Sequence, residues 1–108
     1  MPHIMIKGIE SDEVKKISKA MLDELESIVG CPKEYFTLEV QDSKFIVDGE
    51  IIKKDPFIQI NWFDRGQEIQ DQVAVAITKH IYNAGLGSAE IFFTILERNN
   101  YYEDGKHL

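Results

Sequence analysis

Apolar positions along the chain switch between two periods. PHIMIK (2–7) puts Ile4 and Ile6 on one face, the alternation of a strand. The proline at its head stands where a strand needs no ladder donor. In SDEVKKISKAMLDELESIVG, Val14, Ile17, Met21, Leu25 and Ile28 recur at three- and four-residue spacing, which predicts one amphipathic helix. Ser11 is a natural cap for it, Asp12 and Glu13 suit its positive end, and Gly30 and Pro32 stop it. YFTLEV (35–40) alternates again, with Phe36, Leu38 and Val40 on one face. In SKFIVDGEIIKK, Asp48-Gly49 between apolar flanks predicts a hairpin. After Asp55-Pro56 the pattern restarts. FIQINWF (57–63) aligns Ile58, Ile60 and Trp62, and a second helical stripe of Ile69, Val73, Ile77 and Ile81 runs up to Gly85 and Gly87. AEIFFTILE (89–97) reads as a last, well-buried strand, and RNNYYEDGKHL as a polar, aromatic-bearing tail with no clear period.

The two halves run in phase. Ile4 and Ile60, Ile17 and Val73, Met21 and Ile77, Leu25 and Ile81, and Phe36 and Phe92 are each 56 residues apart. An α+β fold follows: a tandem βαβ pseudo-repeat forming a four-stranded mixed sheet, plus a small hairpin. Right-handed crossovers put both helices on one face of that sheet. The expected organisation is a single domain over residues 1–108, with repeats at about 2–54 and 57–97 and a tail from 98 to 108. The sheet's other face is left bare and calls for a partner, so an oligomer is expected.

Composition narrows the function classes. A chain of 108 residues buries a modest core, which oligomerisation would help. The net charge of −7 argues against non-specific nucleic-acid binding, although a local arginine can still receive an anion. No apolar run approaches a membrane span and no signal peptide opens the chain, so no membrane partner and a cytoplasmic location are expected. The single cysteine, Cys31, provides neither a disulfide framework nor a zinc cluster and reads as a small packed residue. His3, His80 and His107 lack metal-ligand spacing and read as surface or packing residues; neither metal nor cofactor is expected.

The residues also resemble a known family. Pro2 directly after Met1, the helix start SDEVKK (11–16), the proline-led CPKEYFTLEV and the hairpin KFIVDGE (44–50) are similar to segments of 4-oxalocrotonate tautomerase. GCPKEYF resembles the matching segment of macrophage migration inhibitory factor, and PHIMIK the start of 5-carboxymethyl-2-hydroxymuconate isomerase. The chain thus resembles the tautomerase superfamily, within it the branch of unknown function DUF1904. The resemblance implies a homotrimer with helices outside, the hairpin pairing across subunits, and an active site at each subunit boundary around the proline nitrogen.

It also implies a chemistry. With Met1 removed, Pro2 carries a secondary amine. A free α-amino group titrates near pH 7.7–8 in model peptides, and burial or a nearby cation lowers that value. The neutral amine accepts a proton from carbon beside a carbonyl and returns it elsewhere as the ammonium; the proline ring fixes the lone pair's direction. If methionine stays attached, the nitrogen is an amide and has no such role. Read alone, Arg65 is a solvated charge; by resemblance it binds a substrate carboxylate ahead of the second helix. Other family positions differ. Glu10 and Thr37 stand where the oxalocrotonate enzymes carry arginines, and Cys31, Phe92 and Thr94 replace a lysine, a tyrosine and an asparagine of the inhibitory-factor branch. A small monocarboxylate 2-oxo acid with an apolar or aromatic body suits Arg65, Phe45 and Phe92, and Arg98 is placed to rim a pocket. The alternatives are a trimeric module that kept the fold and binds a ligand or protein without chemistry, and a ferredoxin-like regulatory domain with a similar element order.

Overall fold

The computed structural model describes residues 2–107. In chain order it contains β1 (His3–Lys7), α1 (Ser11–Val29), a 3-10 turn (Lys33–Tyr35), β2 (Thr37–Gln41), β3 (Phe45–Val47), β4 (Glu50–Ile52), β5 (Phe57–Trp62), α2 (Gln67–Asn83) and β6 (Glu90–Ile95). A second 3-10 turn (Arg98–Asn100) then leads into β7 (Tyr102–Glu103) and β8 (Lys106–His107).

The four-stranded sheet has the order β2-β1-β5-β6. The outer pairs β1/β2 and β5/β6 are parallel, and the central pair β1/β5 is antiparallel. Because strand side chains alternate, one set faces the helices: Ile4 and Ile6 of β1 pair with Ile60 and Ile58 of β5, and all four are buried. Val14, Met21 and Leu25 of α1 and Val73, Ala76, Ile77 and Ile81 of α2 close over them, with Trp62 at one end. Each large aliphatic side chain removed from water in this layer contributes roughly 1.5–3 kcal/mol. The expected α+β architecture, a mixed four-stranded sheet with both helices on one face, is the one found.

Several boundaries differ from those the sequence predicts. Glu10, not Ser11, occupies the α1 cap position with extended backbone, and Ser11 is the first helical residue. Gly30 ends α1 in the left-handed conformation, as its lack of a Cβ allows. Pro32 starts a 3-10 turn over Lys33–Tyr35, so β2 begins only at Thr37 and Phe36 is buried just ahead of it. β6 is a sheet edge rather than a well-buried strand: Phe92 is 56% exposed and Ile95 45%. The tail has regular structure after all, since Asp104 and Gly105 both take positive φ and turn β7 back onto β8.

The helix-free face is built in rungs. Thr37, His3, Asn61 and Thr94 form the first, and Glu39, Met5, Gln59 and Phe92 the second. Gln41, Lys7, Phe57 and Glu90 form the third. This face is mostly polar and bonds within itself: the Gln59 amide donates to Asn61 Oδ1 at 3.2 Å and to Thr94 Oγ1 at 3.1 Å. Phe57 and Phe92 are its exposed aromatic side chains, and the β3–β4 hairpin exposes the cross-strand pair Ile46 and Ile51, 68% and 67% accessible. Among the described residues no helix is long and apolar enough to cross a membrane.

Candidate active site

Pro2 needs no amide hydrogen where it stands. Its carbonyl accepts from the Thr37 amide at 2.9 Å, which starts the parallel pairing of β1 with β2, and its side chain is fully buried. The neighbouring strands end at the same place. Asn61 of β5 faces His3, and the Leu96 amide donates to the Trp62 carbonyl at 2.7 Å, prolonging β6 by one contact. The 3-10 turn after β6 then brings the chain back, and Tyr101 packs edge-on against Phe63 with ring centroids 5.4 Å apart. These segments enclose a cleft of about 190 Å³ lined by Pro2, His3, Thr37, Asn61, Leu96 and Tyr101.

His3 does not stand alone on its wall. Its Nε2 lies 2.7 Å from Glu39 Oε1, one rung along on β2, and both side chains are partly exposed. Two arginines stand at the same end of the sheet without lining the cleft. Arg65, in the loop between β5 and α2, sits over the Trp62 ring at 5.2 Å and donates to the Phe63 carbonyl at 2.8 Å. The Gly66 amide donates to Asp64 Oδ1 at 2.8 Å, which folds that loop tightly. Arg98 sits over Phe63 at 4.8 Å, on the ring that also carries Tyr101.

The two candidate phenylalanines are elsewhere in the chain. Phe92 projects from the second rung of the helix-free face. Phe45 lies at the far end of β1, against Gly8, beside a broad groove of about 680 Å³ between the start of α1 and the β3–β4 hairpin. The single chain therefore gathers Pro2, Arg98 and Arg65 at one end and leaves Phe45 at the other. The sequence singles out neither Asn61 nor the His3–Glu39 pair; it offers Tyr101, with Arg98 and Tyr102, either as the rim of a neighbour's pocket or as tail packing. His3 and Glu39 are 36 residues apart and meet only through the β1/β2 register. Among the described residues, no group of three His, Cys, Asp or Glu is arranged to hold a metal.

Two βαβ units in one mixed sheet, helices on one face and a proline-headed central strand beside a small cleft together give the fold of the tautomerase and macrophage migration inhibitory factor proteins. A migration-inhibitory-factor-like protein from Entamoeba histolytica superposes with a TM-score of 0.75 at 24% identity, over 99% of this chain and 98% of its own. A fused 4-OT protein, whose wild-type form is an asymmetric trimer, superposes at 0.81 and 9% identity, over 97% of this chain and 94% of its own. The chain belongs to the family DUF1904, a domain of unknown function, whose pattern matches residues 1–107. A member from Sebaldella termitidis ATCC 33386 is 36% identical, with a TM-score of 0.93 over the whole of both chains. A search among curated proteins finds none that matches.

Proposed function

We propose that the protein is a cofactor-independent tautomerase that uses the Pro2 amine as general base and then general acid on a small enolisable 2-oxo acid. The observation that carries this reading is the cleft at Pro2, on a fold shared with proteins named for that chemistry. Removal of Met1 makes the Pro2 nitrogen a secondary amine at the wall of a largely apolar cleft. The amine takes a proton from the carbon beside the carbonyl, charge passes to the carbonyl oxygen, and the ammonium delivers the proton there; ketonisation is the same path reversed. Arg98, beside the cleft on Phe63, and Arg65, on Trp62, supply guanidinium donors for the substrate carboxylate. Their aromatic supports hold each guanidinium plane in a fixed attitude.

The working unit in this reading is a homotrimer. Phe45 reaches a Pro2 cleft only from a neighbouring copy, and Phe92 adds to the apolar wall from the sheet face. The test starts with the intact mass of tag-free protein, expected to be short by one methionine. Ketonisation of the enol of phenylpyruvate is then followed by its ultraviolet absorbance. Turnover by the wild type, lost at least 100-fold in Pro2→Ala with the fold intact, is the expected result. A retained methionine, or turnover that survives Pro2→Ala, would overturn the mechanism and leave a trimeric ligand- or protein-binding module as the function.

A further inference from the structure

We propose that His3, oriented by Glu39, is the second proton-transfer residue of the Pro2 cleft, acting on the substrate oxygen while Pro2 acts on carbon. This rests on the tautomerase reading and adds to it a residue assignment from the geometry.

His3 lines the same cleft as Pro2, its immediate neighbour in the chain. Alternation along β1 sends the two side chains to opposite sides of the sheet, so they approach a bound molecule from different directions. The 2.7 Å contact between His3 Nε2 and Glu39 Oε1 settles what the ring can do. An ionised carboxylate only accepts, so Nε2 carries the hydrogen and donates it. In the neutral ring the lone pair is then on Nδ1, and Glu39 fixes both the tautomer and the attitude of the imidazole. Besides Pro2, which is cationic when protonated, the groups facing this wall are uncharged: Thr37 from β2, Asn61 and Gln59 from β5, and Leu96 and Tyr101 from the returning C-terminal segment. Both helices pack on the opposite face. Glu39 is therefore the carboxylate that faces His3.

For an enol going to its keto form, the step balances without any further reagent. His3 Nδ1 takes the proton of the enol O–H. The oxygen's electron pair forms the C=O bond, and the C=C pair takes the proton that the Pro2 ammonium releases to carbon. His3 leaves as imidazolium, held by the Glu39 carboxylate, and Pro2 leaves as neutral amine. One proton passes from His3 to Pro2 through solvent to reset the site. Without His3, Pro2 would have to carry the proton between oxygen and carbon itself, as base and then as acid.

The experiment uses tag-free protein and the enol of phenylpyruvate. His3→Gln is expected to lower kcat by about 100- to 1000-fold with little change in KM. Glu39→Gln, a positioning change, is expected to lower kcat about tenfold and to shift the acid limb of its pH profile, with Glu39→Asp recovering most of the loss. Wild-type kcat in both His3→Gln and Glu39→Gln, alongside an inactive Pro2→Ala, would overturn this assignment and leave the proline mechanism standing. So would a loss found in Tyr101→Phe and absent from His3→Gln, since Tyr101 bears the other side chain of the cleft suited to general acid–base work. A wild type with a free prolyl amine and no turnover would overturn the tautomerase reading and this assignment together. Nitrogen-15 spectra of the His3 ring test the geometry without turnover. The Nε2–H tautomer is expected in the wild type and a mixture in Glu39→Gln; a wild-type Nδ1–H tautomer would overturn the assignment.

Discussion

At Gly8 the backbone takes φ +94°, and a Cβ built there would lie 3.0 Å from Phe45 Cε2 and 3.2 Å from the Pro56 Cα. The ring can swing aside, but the backbone of Pro56 cannot. Gly8→Ala is therefore expected to lower the unfolding free energy by about 2–3 kcal/mol, strain and crowding together. Gly30, at φ +79° with open space around it, isolates the first term, and Gly30→Ala is expected to lose about 1 kcal/mol. Urea midpoints of the two variants check this; equal losses would show that crowding at Gly8 is relieved freely. At this scale the sequence exposed only part of the candidate site. Pro2 announced itself by its place in the chain, and Arg65 by standing between a strand and a helix. Asn61 did not, because it becomes a site residue only through strand register, which sets it facing His3; Tyr101 was open to a pocket role, but its packing on Phe63 comes from chain reversal after β6.

Between elements, α1 and α2 are tied by one carboxylate. Glu24 Oε1 lies 2.8 Å from His80 Nε2, and its Oε2 accepts from Lys79 Nζ at 3.1 Å. The hydrogen bond from His80 first, and that from Lys79 second, hold the Glu24 carboxyl below the usual carboxylate range. A lowered folded-state value means the stabilisation is complete above the unfolded carboxylate range and disappears as pH falls through the folded value. Glu24→Gln is expected to be less stable than wild type by roughly 0.5–1 kcal/mol at pH 7, with the gap narrowing as pH falls through the lowered folded value. Urea unfolding over a descending pH series measures it; a constant gap would mean the loss is packing rather than charge. The two hairpins show why one element was legible and the other was not. Both turn on Asp-Gly with positive φ at each residue. Phe45-Ile46-Val47 and Glu50-Ile51-Ile52 flank the first with enough apolar residues to read as strands. Tyr102-Glu103 and Lys106-His107 give the second only two residues on each side, too few to show a period. The tail was read as irregular although it carries the same turn signal.

For the whole molecule, a bare sheet face was the sequence-based reason to expect an oligomer. That face is largely polar and self-bonded, with Phe57 and Phe92 as its exposed aromatic side chains, while the β3–β4 hairpin exposes Ile46, Val47 and Ile51 together. The proposed trimer therefore depends on the hairpin. Ile46→Lys with Ile51→Lys is expected to convert a trimer to monomer in sedimentation velocity while far-ultraviolet circular dichroism stays unchanged. A trimer that survives both charges would move the contact elsewhere. The chain's internal symmetry has a further result. Pro2 accepts from the Thr37 amide at 2.9 Å and Pro56 from the Glu90 amide at 3.0 Å, each at the head of a central strand and each buried. The equivalent starts, His3 of β1 and Phe57 of β5, are 54 residues apart, whereas the helices keep the offset of 56 seen in the sequence. Two prolines thus hold matching posts at opposite ends of the sheet, but a polypeptide has one amino terminus. Pro56 is acylated by Asp55, so its nitrogen has no basic lone pair whatever surrounds it. A reaction that depends on a free prolyl amine therefore has one centre per chain, fixed by connectivity. Pro56, with Gly8 and Gly87 packed closely against it, offers the sheet a packing contact and no base.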